Sequence, residues 1–199
     1  NVFVVSYLMN PDKENPFNLI FLYSVLDNIK YRIIYIRGSH NDSYFNSSFA
    51  IIKSIIEKVQ NIAINNGVSS DVIDHKLYHL ILNRLVRVCH TKELINCHGA
   101  INCLVGLTEI IPPRYFAIHY FDILQSVFNV IQKIPEVIQL PVMDKCLELL
   151  RIMAGFYPYL QEQNMGLYHI CDSLVNELLS ANENQHEAAK FFLKQISKQ

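Results

Sequence analysis

Apolar residues recur along this chain at three- and four-residue intervals, in blocks separated by short polar or proline-containing stretches. Across residues 17–36 the repeat runs Leu19, Leu22, Tyr23, Leu26, Ile29, Ile33. It predicts a helix entered through the turn NPDKENP at 10–16, with Pro16 suited to a first helical position. The run YRIIYI at 31–36 is β-branched and aromatic and reads as a strand by itself; its continuity with the helical pattern favours helix. A polar loop covers 38–45. Ser47 or Ser48 can cap the next helix, whose face is Ile51, Ile52, Ile55, Ile56, Val59 and Ile62, and Asn65-Asn66-Gly67 ends it.

Ser69-Ser70-Asp71 caps a helix with Leu77, Leu80, Ile81, Leu85 and Val88 on one face. Thr91 is expected to cap a helix over 91–111, stopped by Pro112-Pro113. One helix is predicted over 114–134, with Phe121, Leu124, Phe128 and Ile131 aligned and Pro135 as its breaker. Another spans 140–156 (Met143, Leu147, Leu150, Met153) and is closed by Gly155 and Pro158. Helices over 165–179 and 185–197 complete the pattern, separated by Ser180-Ala181-Asn182-Glu183-Asn184.

The result is about eight helices of roughly 15–20 residues, alternate ones starting roughly 40–55 residues apart, near the period of HEAT or armadillo pairs. The fold class predicted is all-α: an α-solenoid of about four antiparallel HEAT-like helix pairs over residues 1–199. The helix over 91–111 is apolar nearly all round and should lie between two layers.

Composition narrows the function. The chain has 199 residues, 51% hydrophobic and 18% charged, which suits a packed core and excludes a disordered tail. Six glycines and no tryptophan argue against an all-β fold with its frequent turns. The net charge of −1, with Lys and Arg scattered, leaves no basic surface for a phosphate backbone, so no direct nucleic acid is expected. No stretch has the uninterrupted apolar length of a membrane span. The start, NVFVVSYLM, lacks a basic flank and a cleavage-type site, and reads as the last turns of a helix from a longer chain. The five cysteines (89, 97, 103, 146, 171) are odd in number and contain no CxxC, which favours a reducing compartment over a disulfide framework. Asn41-Asp42-Ser43 and Asn46-Ser47-Ser48 fit the glycosylation pattern, which is common by chance.

The run CHTKELINCHGAINCLVGLTEIIP at 89–112 carries the most specific signal. It joins two helical faces through the small-residue step Gly99-Ala100. Cys89, Lys92, Glu93, Gly99, Leu107, Glu109 and Pro112 stand at positions that resemble the HEAT-repeat region of the TRRAP family, transcription-associated pseudokinase relatives of the PI3-kinase-like kinases. The resemblance extends from about Tyr78 to the end and is continuous over 89–137. A second stretch, 167–199, resembles the family's following repeat through His169, Leu174, Val175, Glu177, Ser180, Asn182, Ala189 and Leu193. Leu94 stands near a family tryptophan, and Ala100 replaces a second glycine; both are packing substitutions. Residues 1–70 carry no such resemblance.

The resemblance implies a scaffold and docking segment with protein partners: subunits of nuclear histone acetyltransferase complexes of the SAGA and MYST types, and transcription activators. It implies no reaction of its own, and the expected site inventory is empty: no catalytic residue, no cofactor, no metal, no small-molecule substrate. Other readings remain open from the residues: a helical-repeat transport receptor, the HEAT region of an active PI3-kinase-like kinase, or a metal-dependent helical enzyme.

The enzyme reading rests on few residues. His75 and His79 are four apart on one helix and could share a metal, with Asp74 or Cys89 as a third ligand. Cys89-His90 and Cys97-His98, with Cys103 nearby, are a possible Cys/His cluster, but the spacings are not those of zinc sites. The plainer reading makes Cys89 and Cys103 small core fillers. Gly99-Ala100 reads as close helix packing, and Glu109 as either a salt-bridging or a solvated carboxylate. Tyr115, Phe116, Tyr157 and Tyr159 are candidates for a docking patch, with core or inter-repeat packing the favoured alternative. No glycine-rich phosphate cradle is present in the sequence.

Overall fold

The computed structural model describes residues 49, 50, 53, 54, 56–58, 60, 61, 65, 70–136, 140–162 and 167–199. The elements expected over 1–48, with their turn, loop and possible strand, lie outside the described residues. Eight helices follow one another from residue 70: α1 Ser70–Cys89, α2 Leu94–Leu107, α3 Pro113–Ile118, α4 Tyr120–Gln132, α5 Pro141–Gly155, α6 Tyr157–Glu162, α7 Leu167–Leu178 and α8 Glu183–Ile196. Helical residues between 49 and 65 precede them. There is no strand among the described residues.

Sequential helices pack in pairs, α1 on α2, α4 on α5 and α7 on α8, and the pairs are stacked through α2–α5, α1–α4 and α5–α8 contacts. This is the all-α, HEAT-type solenoid read from the periodicity. The stacking buries one continuous core, because each helix presents an apolar stripe that water must leave. On α1 the stripe is Leu77, Tyr78, Ile81, Leu82, Leu85, Val88 and Cys89.

The placement of α2 between two layers holds: it packs against both α1 and α5, with Cys97, Ala100, Ile101, Leu104 and Leu107 wholly buried. Its bounds are tighter than 91–111. Glu93, not Thr91, is the N-cap residue. The Thr91 hydroxyl donates backwards to the Val88 carbonyl at 2.8 Å and so belongs to the end of α1. At the other end, the amides of Thr108, Glu109 and Ile110 bond to carbonyls three residues back, a tightened last turn. Pro112 disfavours a helical conformation for Ile111, and neither Pro112 nor Pro113 has an N–H to continue the ladder.

The helix expected over 114–134 is broken at His119, between α3 and α4. The His119 amide closes α3 on the Phe116 carbonyl, while its own carbonyl accepts from Ile123 and opens α4. Helix α5 carries Pro141 at its first position, and Pro158 enters the first turn of α6 rather than merely ending α5. Asn182 caps α8 by accepting from the Gln185 amide at 3.0 Å, so that helix starts two residues before the expected 185. No described helix is long and apolar enough to cross a membrane.

Candidate functional site

Helix α1 ends at Cys89, where helix geometry leaves carbonyls without intrahelical partners. The chain turns there and returns as α2, which brings Cys97 beneath that end. Its buried thiol approaches the carbonyls of Cys89 (3.4 Å), Thr91 (3.5 Å) and Val88 (3.7 Å). From the far end of α4, Lys133 Nζ donates to the carbonyls of Cys89 and Thr91, each at 2.8 Å, and stands 3.8 Å from the Cys97 sulfur. Asn129 Nδ2 also donates to the Cys89 carbonyl, at 3.1 Å. A cation against the negative end of a helix dipole is a favourable pairing.

His90 is bound into the same seam. Asn129 Nδ2 donates to His90 Nδ1 at 3.1 Å, which requires that nitrogen to be the acceptor and puts the proton on Nε2. His90 Nε2 then donates to Ser126 Oγ at 3.2 Å, and Ser126 donates to the Asp122 carbonyl at 2.7 Å. A serine beside a histidine invites a nucleophile–base reading, but the polarity here is reversed: the imidazole donates and the hydroxyl proton goes to a carbonyl. The arrangement ties α4 to the end of α1.

Burial sets the protonation of Cys89, Cys103 and Cys146. The Cys89 thiol is pushed well up by burial, helped by the neighbouring Cys97 and Cys146 thiols, against the opposing pull of Lys133. Burial pushes Cys103 up to about 12, and burial followed by Cys97 raises Cys146. Thiols held protonated are poor nucleophiles and poor metal ligands. The reading of Cys89 and Cys103 as core fillers is borne out; both are buried.

A second polar group lies between α1 and the junction of α3 and α4. His79 Nδ1 meets His119 Nε2 at 2.9 Å, and Asn83 Nδ2 meets His79 Nε2 at 2.8 Å. His75 stacks on His79 with ring centroids 6.2 Å apart, and Tyr115 lies edge-on to His75 and 5.0 Å from Tyr78. Gln60 donates to Asp74 and to the Tyr78 hydroxyl, at 2.7 and 2.8 Å. Arg114 covers the Tyr115 ring and pairs with Asp71 at 2.7 Å, both members exposed.

The candidate metal set of His75 and His79 does not assemble. Asp74 is engaged by Gln60, and Cys89 lies fourteen residues further along α1, on the order of 20 Å by helix rise. Among the described residues no group of three or more His, Cys, Asp or Glu could hold a metal ion. His119, which His79 meets across the helix contact, carries no spacing signal in the sequence.

Of the aromatic candidates, Tyr115 and Phe116 are buried, and Tyr159 packs partly buried against the core. These three belong to the core, as the favoured reading had it. Glu109 is exposed in the exit turn. Gly99 and Ala100 are buried in α2, as close packing requires. A tight approach occurs at Gly106, where an added Cβ would stand 2.8 Å from the Phe49 ring.

A protein-family model described as the Tra1 HEAT repeat ring region matches residues 24–199, beginning upstream of Tyr78. No curated protein and no solved structure matches the chain.

Proposed function

Because the chain belongs to the Tra1/TRRAP family through its HEAT repeat ring region, we propose that it is a non-catalytic scaffold and docking segment of nuclear histone acetyltransferase complexes, supporting transcription coactivation. The family match over 24–199 carries this reading. A solenoid gives such a segment an extended surface on which partners assemble. The polar groups that could have done chemistry support it too: Cys97, Lys133, His90 and Ser126 are committed to one another and to helix-end carbonyls. Their partners would be acetyltransferase-complex subunits and transcription activators, with no metal or cofactor taking part.

The test is affinity purification of the full-length protein from nuclear extract, followed by a histone acetyltransferase assay on the eluate. Co-purifying acetyltransferase activity and subunits are expected. An eluate without that activity, carrying autonomous kinase activity or transport cargo, would overturn the proposal.

A further inference from the structure

His119 sits where the backbone breaks between α3 and α4, and its side chain is buried, 4% exposed, against α1. Among the described residues its one side-chain hydrogen bond is to His79, at 2.9 Å, with the rings 4.7 Å apart. The direction of that bond is fixed from outside. Asn83 donates to His79 Nε2, so His79 carries its proton on Nδ1 and donates to His119 Nε2. The chain Asn83 to His79 to His119 therefore exists only while His119 Nε2 is an unprotonated acceptor. We propose that the His79–His119 bond is a proton-sensitive latch, which holds the α3–α4 elbow on α1 when His119 is neutral and releases it when Nε2 takes a proton.

Protonation sets two N–H groups against each other and buries a charge, which is costly without a partner. The groups acting on His119 are His79 and His75 from α1 and Asp122 from the first turn of α4; Arg114 of α3 is engaged by Asp71 and Tyr115. Burial lowers the His119 pKa from the ordinary 6.5, the two α1 histidines oppose its charge, and Asp122 favours it less strongly than burial disfavours it. A folded-state pKa below the unfolded one means that the unfolded or released form binds more protons. The latch is thus fully closed above the ordinary imidazole pKa of 6.5 and weakens as pH falls from there through the depressed folded value.

The experiment is amide hydrogen exchange on the whole 199-residue chain between about pH 7.5 and about pH 5, spanning the ordinary imidazole range, with long-range proton–nitrogen NMR of the imidazoles. Exchange over residues 113–123 should rise several-fold beyond intrinsic chemistry on acidification, while α8 does not follow. At neutral pH the NMR should find His79 and His119 both protonated on Nδ1. In His119→Gln the carboxamide oxygen can accept from His79 without titrating, so the acid response of the elbow should vanish. No local acid response in the wild type, an unchanged response in His119→Gln, or a His119 protonated on Nε2 at neutral pH would each overturn the latch; the NMR arm needs no variant to fold.

Discussion

Lys133 donates from the end of α4 to the carbonyl of Cys89, the last residue of α1, at 2.8 Å and across forty-four positions of sequence. One ammonium thereby closes a helix terminus that the local chain leaves open, since a second bond of the same length goes to Thr91. Charge-assisted bonds of this kind are stronger than neutral ones. Lys133→Met, which keeps the apolar stem and removes the donor, should destabilise the fold by about 1.5–3 kcal/mol. Urea denaturation followed by circular dichroism measures this. A midpoint equal to wild type would show that Asn129 and Cys97 suffice to close α1.

Gly106 and Gly155 predict opposite signs. At Gly106 an added methyl would meet the Phe49 ring at 2.8 Å, whereas at Gly155 nothing lies within 4 Å. Gly155→Ala should be neutral to stabilising, up to about 1 kcal/mol, the helix-propensity gain. Gly106→Ala receives the same gain but must displace the ring, and should come out destabilising. Placed in a Phe49→Ala background, Gly106→Ala should turn stabilising. A double-mutant cycle on thermal unfolding tests the coupling, and zero interaction energy would dissociate Phe49 from the notch.

All five cysteines are free, four of them buried and Cys171 exposed. Cys103, pushed up to about 12 by burial, stays a thiol at every ordinary pH. Iodoacetamide at neutral pH should therefore modify Cys171 alone in the folded protein, and all five after denaturation. Intact-mass analysis reads the number. Rapid native labelling of Cys97 would mean that the seam at the end of α1 opens.

Tyr120 joins α4 to α5 through its hydroxyl, which donates to the Met153 carbonyl at 2.9 Å in a buried position. That carbonyl also accepts from the Phe156 amide, so Tyr120→Phe removes a bond without orphaning its partner. The loss should be small, about 0.5–1.5 kcal/mol. Burial raises the Tyr120 pKa, so the native phenol should resist alkaline titration monitored by ultraviolet difference absorbance. Ionisation of every tyrosine at the ordinary value near 10 would contradict this packing.

The sequence by itself determined the helical class, the stacking of helix pairs and the family, whereas the short helix α6 and the division of 114–134 into α3 and α4 are absent from its pattern. Apolar spacing of three and four is a local property, fixed by 3.6 residues per turn, and prolines at 112, 113, 135 and 141 bound the elements wherever they lie in space. The nearly all-apolar 94–107 segment could be satisfied only between two layers, and α2 lies there between α1 and α5. What tertiary structure decided are the relations between residues about forty positions apart: Lys133 with Cys89, Asn129 with His90, His119 with His79. No periodicity carries such pairs, because each residue is ordinary on its own helix and acquires its partner when the solenoid stacks. The break at His119 belongs with them. Its local pattern reads as one continuous helix, and the chain turns there to bury an imidazole against α1 that only the fold supplies.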